Sequence, residues 1–150
     1  MLKQLIDQDL KTALLSKNQL AVDTLRGVKS AILYVEVALN LREEGLDDTR
    51  IIDVLSKESK KRAESADLYS ANDNQDRADT ELKEKIIIDK YLPEQLSDSD
   101  IEKIVDEVIS NTDNPSIKDM GKIIGQVKIK TGVAGDGSKI ASIVKSRLNT

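Results

Sequence analysis

Apolar residues recur every three or four positions along most of the chain, the spacing that lines one face of an α-helix. From Leu2 to about Ser16, the residues Leu2, Leu5, Ile6, Leu10, Ala13 and Leu14 keep this spacing with Lys and Asp between them, which predicts an amphipathic helix. Asn18 is placed to cap a second helix, where Leu25, Val28, Ile32, Val35 and Leu39 step by three and four. That helix is expected to continue to Glu43 and to end at Gly45. Gly27 lies inside it at a cost of about 1 kcal/mol relative to Ala, either because another helix comes close or because the position is simply exposed.

Asp47 can cap a third helix that starts with Ile51, Ile52, Val54 and Leu55, then turns polar, with Ala63, Ala66 and Tyr69 on a thinner apolar side. The polar stretch from Ser70 to Asp76 breaks the pattern. A fourth helix follows, with Ala78, Leu82, Ile86, Ile87 and Tyr91 expected to face inward, and Pro93 closes this first module. Ser97 and Asp100 form a variant capping box before Ile101, Ile104, Val105, Val108 and Ile109, which predicts a fifth helix. Asn114-Pro115 ends it, Ser116 with Asp119 caps a sixth helix to about Lys130, and Gly132 stops that one. After the glycine-rich turn, Ile140, Ile143, Val144 and Leu148 mark a last helix. The expectation is an all-α fold without strands. An N-terminal bundle of about four helices would occupy residues 1–95, and a three-helix module residues 96–150.

Composition removes most familiar chemistry. The chain has no Cys and no His, which excludes zinc fingers, thiol nucleophiles and any triad that needs an imidazole. Phe and Trp are absent, so the core must be aliphatic. The start of the chain, Met1-Leu2-Lys3-Gln4-Leu5-Ile6-Asp7, lacks the apolar stretch of a signal peptide, and no segment approaches the roughly 18 to 20 apolar residues of a membrane span. A cytoplasmic address and no membrane contact are expected. The acidic set Asp98, Asp100, Glu102, Asp106 and Glu107 reads as dipole-favoured charge on the fifth helix, not as a metal site. The Asp73–Asp76 stretch lacks the central Gly and closing Glu of a calcium loop. Gly132, Gly135 and Gly137 follow no strand and precede no Walker lysine, so they form a turn between helices. No metal and no cofactor are expected, and no catalytic residue is assigned.

Net charge is −4, unevenly spread. Residues 1–95 carry 15 Lys/Arg against 19 Asp/Glu, residues 96–114 carry 1 against 6, and residues 115–150 carry 7 against 2. A polyanion should therefore prefer the C-terminal part.

Four stretches in order resemble a known family. The run Asp119-Met120-Gly121-Lys122-Ile123-Ile124-Gly125, with Lys130, the Gly132–Gly137 turn and Ser138, is similar to the GatB/YqeY signature. Leu25-Arg26 with Lys29-Ser30-Ala31-Ile32, then Lys60-Lys61-Arg62-Ala63-Glu64-Ser65, then Tyr91-Leu92-Pro93-Glu94-Gln95-Leu96 resemble the N-terminal pattern of the YqeY family. Two departures stand out. The turn Gly132-Val133-Ala134-Gly135-Asp136-Gly137 lacks the family's basic residue and gains a glycine, and Ile124 replaces a Met. The resemblance implies a C-terminal module similar to the tail of the B subunit of the aspartyl/glutamyl-tRNA amidotransferase. It also implies a role assisting tRNA-linked chemistry performed elsewhere.

Charge pattern and resemblance together nominate Lys122, Lys128, Lys130, Lys139, Lys145 and Arg147, on two helices flanking the glycine turn, as an RNA-binding surface. The same residues also suit a solvated face that keeps a small module soluble. Arg26, Lys29, Lys60, Lys61 and Arg62 form a secondary basic set. With only three Tyr for stacking, phosphate and shape recognition of a folded RNA is expected over base reading. The first functional expectation is a non-catalytic tRNA-binding accessory protein whose other partner is an aminoacyl-tRNA synthetase or amidotransferase; DNA is not expected. The alternatives are a helical protein adaptor that binds no RNA, favoured by the acidity of residues 1–114, and a component of a carbon–nitrogen ligase with glutamine as amide donor.

Overall fold

The computed structural model describes residues 1–149. Among these residues every regular element is helical: α1 (Leu2–Leu15), α2 (Gln19–Ala38), α3 (Asp48–Ala71), α4 (Gln75–Asp89), α5 (Asp98–Ser110), α6 (Met120–Thr131) and α7 (Gly137–Leu148). Short 3-10 turns at Ile117–Asp119 and Gly132–Ala134 flank α6. The chain divides into two compact units, Met1–Leu92 and Pro93–Thr150.

In the first unit, α1, α2, the front of α3 and the end of α4 close over Ile6, Leu25, Val28, Ile32, Leu46, Ile51, Val54, Leu55 and Ile88. Burial of each such side chain contributes about 1.5–3 kcal/mol, which makes this cluster the main support of the unit. Side-chain caps start the helices where short polar residues stand: Asn18 accepts from the Ala21 N–H at 3.2 Å, and Asp47 from the Arg50 N–H at 2.9 Å. Asn74, inside the polar stretch that breaks the helical pattern, caps α4 by accepting from the Arg77 N–H.

Three helix ends in this unit share one device. Lys17, Asn40 and Asp73 take left-handed conformations, each with φ of +57°. The amides that follow them, of Asn18, Leu41 and Asn74, bond back to the carbonyls of Ala13, Glu36 and Tyr69 at 3.0, 2.8 and 2.9 Å, which satisfies the last turn of each helix. Asn40 is therefore what ends α2, at Ala38 and short of the expected Glu43. Gly45, with φ of +78°, instead shapes the loop before α3.

The long α3 pairs with α4 as an antiparallel hairpin. The Ser59 hydroxyl donates to Asp89, and Arg62 bridges Glu58 at 2.5 Å and Glu84 at 3.3 Å. This contact corrects the expected inner face of α4. Leu82 and Ile86 are 44% and 60% exposed, while Ala78 and Ile88 are buried, because the strip of α4 against α3 carries Glu84, whose charge Arg62 neutralises. A Cβ at Gly27 would stand 3.4 Å from Arg62 Nη2, an ordinary contact with the end of a flexible side chain.

The second unit packs α5, α6 and α7 around Ile101, Val105, Val108, Ile123, Val127, Ile140 and Val144, and no residue in this set is more than 5% exposed. Ser97 caps α5 by accepting from the Asp100 N–H at 3.1 Å. Ser116 and Asp119 form the expected capping box, but on a 3-10 turn, and α6 itself starts at Met120.

Candidate nucleic-acid interface

The turn between α6 and α7 is held from three directions. Gly132 ends α6 with φ of +57° and ψ of −144°, a conformation accessible essentially to glycine alone. At Gly135 a Cβ would fall 2.6 Å from Thr131 Cβ and 3.1 Å from Ile140 Cδ1, so the backbone approaches α6 and α7 more closely than any side chain permits. Asp136 then caps α7 by accepting from the Lys139 N–H at 2.9 Å. Residues just after Pro93 brace the outside: the Leu96 N–H donates to the Ala134 carbonyl at 2.7 Å, and the Gln95 side-chain amide to the Val133 carbonyl at 3.0 Å.

This turn brings Lys128 to the start of α7. Its Nζ lies 3.8 Å from where a Gly137 Cβ would be. The first turn of a helix presents N–H groups without intrahelical partners. With the Lys139 amide bonded to Asp136 and the Ile140 amide to the Asp136 carbonyl, the amides of Gly137 and Ser138 face the same end as the Lys128 ammonium. A cation beside the positive end of a helix is unfavourable, and an anion between them removes the conflict. On α6, Gly121 and Gly125 open directly to solvent beside Lys122, with nothing within 4 Å of a Cβ at either position.

The six nominated residues divide into two groups. Lys130, Lys139 and Arg147 reach across to α5 and pair with Glu107, Asp98 and Asp106 at 2.8, 2.9 and 2.8 Å. The carboxylates of Asp98 and Asp106 push the Lys139 ammonium and the Arg147 guanidinium upward from their ordinary pKa values. Among the described residues, Lys122, Lys128 and Lys145 have no carboxylate within 4 Å, and all three are exposed. The α5 carboxylates thus serve as partners for cations, and among the described residues no three of them converge as metal ligands would.

The secondary set lies in the first unit. Lys29 pairs with Asp7 at 2.6 Å and Lys61 with Glu58 at 3.2 Å, while Arg62 is mostly buried in the α3–α4 contact. Among the described residues, Arg26 and Lys60 remain exposed without an ion pair. Two polar residues escaped the sequence reading. Asp136 was detectable as a capping residue just before a helical pattern. Glu36, only 2% exposed, was detectable as a carboxylate among Ile32, Val35 and Val37. Its Oε1 accepts from Lys3 Nζ at 2.6 Å and from the Leu46 N–H at 3.2 Å.

A family model described as Yqey-like protein matches residues 3–148. The chain belongs to the YqeY family. This membership covers both units and accounts for the four stretches in order. Among curated YqeY relatives, "altered inheritance of mitochondria protein 41, mitochondrial" of Kluyveromyces lactis is 29% identical over 131 residues, 84% of this chain and 69% of that protein. The protein of the same name in Meyerozyma guilliermondii is 32% identical over 87 residues, 58% of this chain and 44% of its own length. The Saccharomyces cerevisiae protein is 27% identical over 134 residues, 85% and 70% of the two chains. Among the described residues, no helix of the YqeY chain is long and apolar enough to cross a membrane.

Proposed function

We propose that this YqeY-family chain is a non-catalytic tRNA-binding accessory protein, and that its second unit holds the RNA by its phosphates. In this reading α1 to α4 form a bundle that meets the enzyme carrying out amidation or aminoacylation. The helices α5 to α7 form a module similar to the tail of the amidotransferase B subunit, and the protein works in the cytoplasm, where tRNA is charged. The observation that supports the reading most is Lys128 beside the open amides of Gly137 and Ser138, with Lys122 and Lys145 also without an acidic partner among the described residues. The three cations paired with α5, Lys130, Lys139 and Arg147, can still contribute. Exposed ion pairs are worth about 0–1 kcal/mol each, so a phosphate can compete for those cations.

Anisotropy of labelled total tRNA across a salt series tests the proposal. The full chain should bind with a log–log slope of roughly −2 to −5. Replacing Lys122, Lys128 and Lys145 by Gln should flatten the slope by about 2 units, more than replacing Lys130 and Lys139 does. No binding even near 50 mM salt, roughly the most favourable condition for phosphate contacts, would remove RNA as a direct partner. The adaptor reading would then lead. It is favoured by the apolar outer strip of α2, where Leu33, Tyr34 and Val37 are 44%, 77% and 58% exposed.

A further inference from the structure

A cleft of about 300 Å³ opens between α1 and α2, lined by Lys3, Ile6, Lys29, Ser30, Ile32, Leu33 and Glu36. Its walls are mainly aliphatic, and its size is at the lower end of small-molecule sites, about 300–1,000 Å³. Polar groups with unspent bonding capacity stand at its two ends. At one end is Glu36. Both of its protein hydrogen bonds fall on Oε1, and among the described residues no buried side-chain polar atom lacks a partner, so Oε2 opens to the cleft. At the other end are Lys29 and Ser30. One of the three Lys29 donors is engaged by Asp7, and the Ser30 hydroxyl has no bond within the described chain. Lys3, Lys29, Asp7 and Glu36 together carry no net charge, which disfavours a simple anion or cation as occupant.

We propose that this cleft binds a small zwitterion, the size of a free α-amino acid with an apolar side chain. Its ammonium donates to Glu36 Oε2, and its carboxylate accepts from Lys29 Nζ and Ser30 Oγ. Its side chain lies against Leu33, which is 44% exposed where the cleft opens over the buried Ile6 and Ile32. Ser30 and Glu36 are six residues apart on α2, about 9 Å along the axis. An α-amino acid with a hydrogen bond of about 2.8 Å at each end has a length of the same order as this backbone separation. The site lies in the first unit and is independent of RNA binding by the second.

Calorimetric titration of the full chain with L-leucine and L-methionine is the test, with leucinamide and 4-methylpentanoate as analogues that lack one charged end. Saturable heat is expected from the amino acids at millimolar concentration or below, and at least tenfold weaker binding from both analogues. Lys29→Met and Ser30→Ala change exposed positions, so thermal unfolding can certify the fold, and each should weaken leucine binding about three- to tenfold. No heat from either amino acid at about 10 mM, where even a weak site would fill, would overturn the proposal. So would 4-methylpentanoate binding as well as leucine, or unchanged leucine binding in a folded Lys29→Met chain.

Discussion

Gly135 and Glu36 show how single residues set the geometry around them. At Gly135 an added methyl group would collide with Thr131 and Ile140 on two different helices, so neither neighbour can yield alone. Gly135→Ala should lower stability by about 1–3 kcal/mol, the usual cost of overpacking, read as an earlier urea transition for the second unit. Glu36 acts through charge. The Lys3 ammonium bonded to it holds its carboxyl below the ordinary value of 4.5, outweighing the upward push of burial, and the Leu46 amide adds to the lowering. A folded pKa below the unfolded one means that this contribution is complete above about pH 4.5 and is lost as pH falls through the folded value. Thermal unfolding followed from pH 7 to pH 3 should therefore show a steeper acid loss in the wild-type chain than in Glu36→Gln. At pH 7 the variant should be the less stable by about 1–3 kcal/mol.

At the level of elements, the same left-handed closure ends α1, α2 and α3, each time without glycine. A left-handed conformation costs a non-glycine residue about 1–2 kcal/mol, while glycine costs about 0.5–1 kcal/mol more chain entropy. Lys17→Gly should accordingly raise stability by about 0.5–1 kcal/mol, measurable by urea denaturation. These closures also show what the sequence made legible. Helix starts could be read at Asn18, Asp47 and Ser97, where a short polar side chain precedes an apolar run. The end of α2 could not, because the expected stop was Gly45 and the closing residue is Asn40. The inner face of α4 was misread for a different reason. Its contact with α3 rests on Glu84 and Arg62 as well as on apolar residues, and hydrophobic periodicity carries no record of paired charge. The candidate site was legible as a basic set from residue 115 onward, but its division was not, since the carboxylates that engage half of it lie on α5.

Across the whole molecule, the charge that would attract RNA stands beside charge that would repel it. The acidic helix α5 engages Lys130, Lys139 and Arg147, cations that the proposed phosphate contacts would use. Combining Asp98→Asn and Glu107→Gln should strengthen tRNA binding, by about two- to fivefold for each of Lys139 and Lys130 released if each exposed pair is worth up to about 1 kcal/mol, as read by anisotropy at fixed salt. The bond from the Leu96 amide to the Ala134 carbonyl has a separate consequence. It closes a loop of chain that contains all of α5 and α6, and its donor lies far in sequence from the turn it braces. That amide proton exchanges with solvent when this bond opens, so its exchange rate reports on the parting of the Leu96 segment from the turn where an anion is proposed to dock.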